Sequence, residues 1–133
     1  MIRQDYFVRV IREFFEALQL VINSKESIRQ KKDRIAKLYD SYIGDSIFYH
    51  TASLEDVMDS FTQWREEERL PKMEMLARLY FVEADFSTAL DKQMMQERAL
   101  MLFRFIDRHS TTFSMERQRQ IEKLEKALKK KED

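Results

Sequence analysis

The amino-acid sequence predicts an all-α fold of about six helices packed as antiparallel hairpins, and three observations carry that prediction. One glycine and one proline in 133 residues leave too little of the residue that tight β-turns need most. Charged residues at 36% beside hydrophobic residues at 44% are the balance of amphipathic helices, and the apolar share is too high for a disordered chain. Third, Met73 to Phe103 holds two apolar-periodic segments on either side of a break at Ala84-Asp85-Phe86-Ser87, the pattern of a helical hairpin. The length of 133 residues fits a single helical domain with one core.

Asp5 is the expected N-cap of the first helix, placed to pair with Arg9 one turn later. From Tyr6 to Ile22 most positions are apolar, and Arg9, Arg12, Glu13, Glu16, Gln19 and Asn23 form a narrow polar stripe. Such a helix either lies centrally with neighbours on two sides or is partly covered by a second subunit. Ser24 to Glu26 ends it. A second helix runs to about Ile43 with Ile28, Ile35, Leu38, Tyr39 and Tyr42 on one stripe, and carries the basic run Arg29 to Arg34. That run is either a solvated face or a phosphate-binding patch. Gly44 follows as the C-terminal cap.

Asp45 to Ala52 fits a short helix or an ordered connection. Ser53 caps a third helix with Leu54, Val57, Met58 and Phe61, and Glu55 and Asp56 suit the positive end of its dipole. Trp64, before the charged run Arg65 to Arg69, caps the edge of a core or anchors an interface. Pro71 is expected in the first turn of the next helix, which opens the hairpin spanning about residues 71 to 108. Its first arm carries Met73, Leu76, Ala77 and Tyr80, and its second Ala89, Met94, Ala99, Leu100, Phe103 and Ile106. After a break at Arg108 to Thr112, Ser114 caps a last, surface helix over about residues 114 to 130, with Met115, Ile121, Leu124 and Leu128 as its stripe.

Leu76-Ala77, Tyr80, Asp85-Phe86 and Ala89-Leu90 resemble the helix-turn-helix unit of the tetratricopeptide (TPR) repeat. After Leu90 the next small residue waits until Ala99, no proline closes the unit, and no tandem copy follows. The resemblance implies a TPR-like helical array in which Glu74, Arg78, Phe81 and Val82 would face a partner-binding groove. Gln4-Asp5-Tyr6 with Arg9 and Ile11, and Arg98-Ala99-Leu100 late in the chain, resemble a family of uncharacterised bacterial all-helical proteins catalogued as a domain of unknown function. That likeness implies a helical fold and no particular activity.

Several chemistries lack their residues. There is no cysteine, so no disulfide, thiolate nucleophile or thiolate metal site. A lone glycine cannot build a phosphate-cradling loop. His50 and His109 stand in no nucleophile motif, and the residues three before them are Ile47 and Ile106 rather than the glutamates of a di-metal carboxylate bundle. No enzyme, no cofactor and no metal are therefore expected. No uncharged run approaches the length of a membrane-spanning helix, and Arg3, Asp5 and Arg9 interrupt any secretion signal, so a cytoplasmic protein with no membrane association and no small-molecule substrate is expected.

Net charge is zero, which argues against a dedicated nucleic-acid binder. The expected function is a non-enzymatic protein interaction or self-association module. Its partner would be another protein or a second copy meeting the helix Tyr6 to Ile22. The alternative is a nucleic-acid-associated regulator using Arg29 to Arg34, with Lys31, Lys32 and Arg34 on phosphates.

Overall fold

The computed structural model describes residues 2–132, with side chains for 5–130. Among the described residues there are seven α-helices, one 3-10 turn and no strand. In order these are α1 (Ile2–Asn23), α2 (Ile28–Tyr42), α3 (Ser46–Thr51), α4 (Leu54–Ser60), the 3-10 turn Phe61–Gln63, α5 (Glu66–Ala84), α6 (Ala89–His109) and α7 (Met115–Glu132). The chain forms two compact units, Met1–Met75 and Leu76–Asp133. The boundary falls within α5, so each unit takes one half of that helix.

In the first unit α1 packs on α2 and α2 on α3. The link between α1 and α2 is short because Ser27 starts α2 at once. Its side chain accepts from the Gln30 backbone N–H while the Gln30 side chain accepts from the Ser27 N–H, a reciprocal box that satisfies two of the donors a helix start leaves open. Phe14, Leu18 and Val21 of α1 are buried with Ile35, Leu38 and Tyr39 of α2, and the Phe14 and Tyr42 rings meet edge to face at 5.3 Å. At the end of α2 the N–H groups of Ile43 and Gly44 both donate to Tyr39 O, at 2.8 and 2.7 Å. Gly44 has φ +156°, and a Cβ there would lie 3.2 Å from the Tyr49 ring. Only glycine meets both conditions.

The segment 45–52 is helical over Ser46–Thr51, capped by Asp45, whose carboxylate accepts from the Ile47 N–H at 3.0 Å. Ser53 caps α4 as expected, accepting from the Asp56 N–H at 3.0 Å. Two expected starts are corrected. α1 begins at Ile2, so Asp5 lies within its first turn instead of capping it. A carboxylate is favourable at either place, because both sit at the positive end of the dipole. α5 begins at Glu66, and Pro71 lies in its second turn. The acidic run Glu66, Glu67 and Glu68 favours a helix start. The proline ring costs the helix one hydrogen bond there, to Glu67 O.

In the second unit α6 and α7 form an antiparallel hairpin across residues 110–114. Ser114 caps α7, accepting from the Arg117 N–H at 3.1 Å. Leu102, Phe103 and Ile106 of α6 and Ile121 and Leu124 of α7 are buried. Arg104 reaches Glu125 across the pair at 2.6 Å. Met115, placed with the thin apolar stripe of this last helix, is 62% exposed, and Arg117 and Gln120 are buried on the helix beside Ile121 and Leu124. The second half of α5 contributes Leu76, Ala77, Leu79 and Tyr80, all fully buried. Tyr80 faces α6, where its hydroxyl accepts from Arg98 at 3.3 Å.

Candidate functional site

α1 combines a buried line with apolar side chains left in water. At 100° per residue Phe14, Leu18 and Val21 fall on one line and sit at 1% exposure or less. Tyr6 and Leu20 lie together on the flank of that line and are 62% and 65% exposed. Val8, on the other flank, is 49% exposed. Arg9, Arg12, Glu13 and Glu16 border these residues and are exposed. The helix therefore fulfils only part of its apolar arc within the chain.

The four groove positions share α5 but not one environment. Glu74 and Phe81 are half-buried. Arg78 reaches Glu116 on α7 at 2.8 Å, with its own side chain only 13% exposed. Val82 is 6% exposed and presents almost no surface to a partner. An apolar residue off the Leu76, Ala77 and Tyr80 line proves to be core because α5 buries more than one side.

The basic run on α2 is partly neutralised. Arg34 forms an ion pair with Glu26, and the hydrogen bond from that guanidinium holds the Glu26 carboxyl below its usual range. Arg29 and Lys32 are exposed and Lys31 is half-buried.

Two buried cations escape sequence reasoning. Lys72, 8% exposed, donates from Nζ to Tyr42 O and sits 5.1 Å from the centre of the Trp64 ring. It thereby closes the carbonyl end of α2, where the helix dipole favours a positive charge. Burial pushes the ammonium below the usual lysine range, and Glu68 opposes that shift in part. Trp64 is half-buried, 5.6 Å from the Phe61 ring.

Arg117, 4% exposed, donates to Asp107 at 3.1 Å and to Thr112 O at 3.0 Å, tying the α6–α7 connection to α7. Hydrogen bonds from Gln118 and then Arg117 hold the Asp107 carboxyl below its usual range. The available signal was the placement of Arg117 three residues after the capping Ser114 and four before Ile121. Lys72 gave no comparable signal beyond lying in an apolar run.

His50 is half-buried, held at Nδ1 by Ser46 O and packed 5.0 Å from the Tyr39 ring. His109 is exposed, 4.2 Å from the Phe105 ring. Among the described residues no three His, Asp or Glu side chains are grouped to hold a metal ion, and no helix is long and apolar enough to cross a membrane. Compared with family models, with curated proteins and with solved structures, the chain matches none.

Proposed function

We propose that this protein is a non-enzymatic interaction module that binds its own copy or another protein through the exposed flank of α1. The carrying observation is the exposure of Tyr6 and Leu20 on one side of a helix whose adjacent line is fully buried. Large apolar side chains grouped on a water-facing flank are a feature of association surfaces. This flank is a better candidate than the α5 positions Glu74, Arg78, Phe81 and Val82, because Val82 is buried and Arg78 is committed to Glu116.

Light scattering over a concentration series, run on the wild type and on Tyr6→Asp/Leu20→Asp, tests this reading. A mass above the single-chain 16.2 kDa that falls in the variant supports it. A single-chain mass throughout, with the same proteins retained by both chains from a native lysate, overturns it.

The second reading is binding to nucleic acid through Arg29, Lys31, Lys32 and Arg34. The Glu26 ion pair weighs against it by removing one charge from the patch. It predicts a gel shift that weakens steeply with salt, and no shift at low salt excludes it.

A further inference from the structure

Tyr6, Val10, Glu13, Ala17 and Leu20 recur along α1 at steps of four, three, four and three. They form one stripe beside the buried Phe14, Leu18 and Val21 line, with Tyr6, Glu13 and Leu20 exposed and Val10 and Ala17 half-buried. Alternating steps of four and three are the spacing at which a second helix lies along the first. From Tyr6 to Leu20 the stripe extends about 21 Å at 1.5 Å per residue, enough for several turns of pairing.

The charges beside the stripe decide what fits it. Arg9 and Arg12 precede the midpoint of α1, and Glu13 and Glu16 follow it, so the helix is positive on one side of its centre and negative on the other. Parallel pairing in register brings neither Arg9 nor Glu16 beside an opposite charge of the other copy. Antiparallel pairing about a two-fold axis near Glu13 sets Arg9 of each copy beside Glu16 of the other, two opposite-charge contacts against the single like-charge contact of Glu13 with its own copy. It also brings each Tyr6 to the turn of the other helix that carries Ala17 and Leu20. A two-fold interface uses one patch twice, and this helix has the pattern that such a patch requires.

We infer that the occupant of this flank is a second copy of the same chain, with the two α1 helices antiparallel. The inference rests on the interaction reading above and adds to it the partner and the orientation. Arg9 and Glu16 are seven residues apart in one helix, too far to pair with each other there. Reversing both therefore restores only a contact made between copies.

Dimer dissociation is measured by sedimentation for Arg9→Glu, Glu16→Arg and the double reversal. Each single reversal is expected to weaken the dimer about ten-fold, because symmetry makes it act twice, and the double reversal is expected to recover most of that loss. The chain has no cysteine, so introduced thiols report orientation directly. Under mild oxidation Glu13→Cys should link to itself, near the axis. Tyr6→Cys alone should not, and Tyr6→Cys mixed with Leu20→Cys should form the mixed species. Self-linking by Tyr6→Cys, or no recovery in the double reversal, overturns the antiparallel arrangement and leaves self-association standing. A wild-type chain of single mass that still holds another protein through Tyr6 and Leu20 overturns the two-fold partner while the interaction reading survives.

Discussion

α1 and α5 are both apolar over much of their circumference, yet they end in different surroundings. α5 buries Met73, Met75, Leu76, Ala77, Leu79, Tyr80, Val82 and Ala84, positions spread over more than half of its circumference. Its first half meets the end of α2 and Trp64 through Lys72 in the first unit. Its second half meets α6 through Tyr80 and α7 through Arg78 in the second. α1 packs on α2 and buries the line of Phe14, Leu18 and Val21 while leaving Tyr6, Val8 and Leu20 in water. Apolar content thus does not set burial. The number of packed neighbours does, and a helix with more apolar surface than neighbours retains surface for something else.

The comparison predicts unequal responses to like substitutions. Within α1, Phe14→Ala is expected to cost about 3–5 kcal/mol of stability. Tyr6→Ala should stay within about 0.5 kcal/mol of the wild type. Between the helices, Leu79→Ala in α5 should cost about 2–5 kcal/mol, and Leu20→Ala in α1 should leave stability within about 0.5 kcal/mol while reducing association. Urea midpoints measure both pairs. Equal losses at Leu79 and Leu20 would break the contrast, since they would mean that the α1 flank is covered within the chain.

The polar side of α5 gives a smaller test. Lys72→Met keeps the packing stem but leaves Tyr42 O without its donor, and is expected to cost about 1–3 kcal/mol. A smaller change would place water on that carbonyl and open the core edge beneath Trp64.

Acid titration carries the smallest effect. Asp107 has its folded pKa lowered, so its contribution is present above the unfolded value of about 3.9 and is lost as pH falls through the folded value. Urea midpoints should therefore drop on acidification below about pH 4, and less so in Asp107→Asn. The effect is small because the carboxylate is 36% exposed and screened by solvent. An identical acid slope in the variant would remove Asp107 from the stability balance of the α6–α7 connection.

The helices were legible in the sequence because their apolar residues repeat at the helical period. Ile35, Leu38 and Tyr39 in α2 and Leu102, Phe103 and Ile106 in α6 are buried on stripes of that spacing. Caps with a local signature were legible too, at Ser53 and Ser114. The same kind of signature, Ser27 with Gln30 three residues on, marks the start of α2 and could have placed it.

Features set by distant partners were not legible. Lys72 is buried because a carbonyl thirty residues earlier accepts a hydrogen bond from its ammonium, and Val82 because α5 buries more than its Leu76, Ala77 and Tyr80 line. For the candidate surface, the sequence marks the broad apolar arc of α1. Which third of that arc stays in water depends on how α2 packs along it, and periodicity alone does not contain that.

Gly44 holds the only left-handed backbone among the described residues, with an aromatic ring closed over it. For anyone diversifying this scaffold, position 44 is accordingly the fixed point of the library. Saturation there should return glycine alone among folded clones, whereas exposed link positions such as Lys25 and Thr111 should return a wide alphabet. Elsewhere among the described residues the backbone asks nothing unusual of any side chain, which leaves the water-facing positions outside the α1 flank open to redesign.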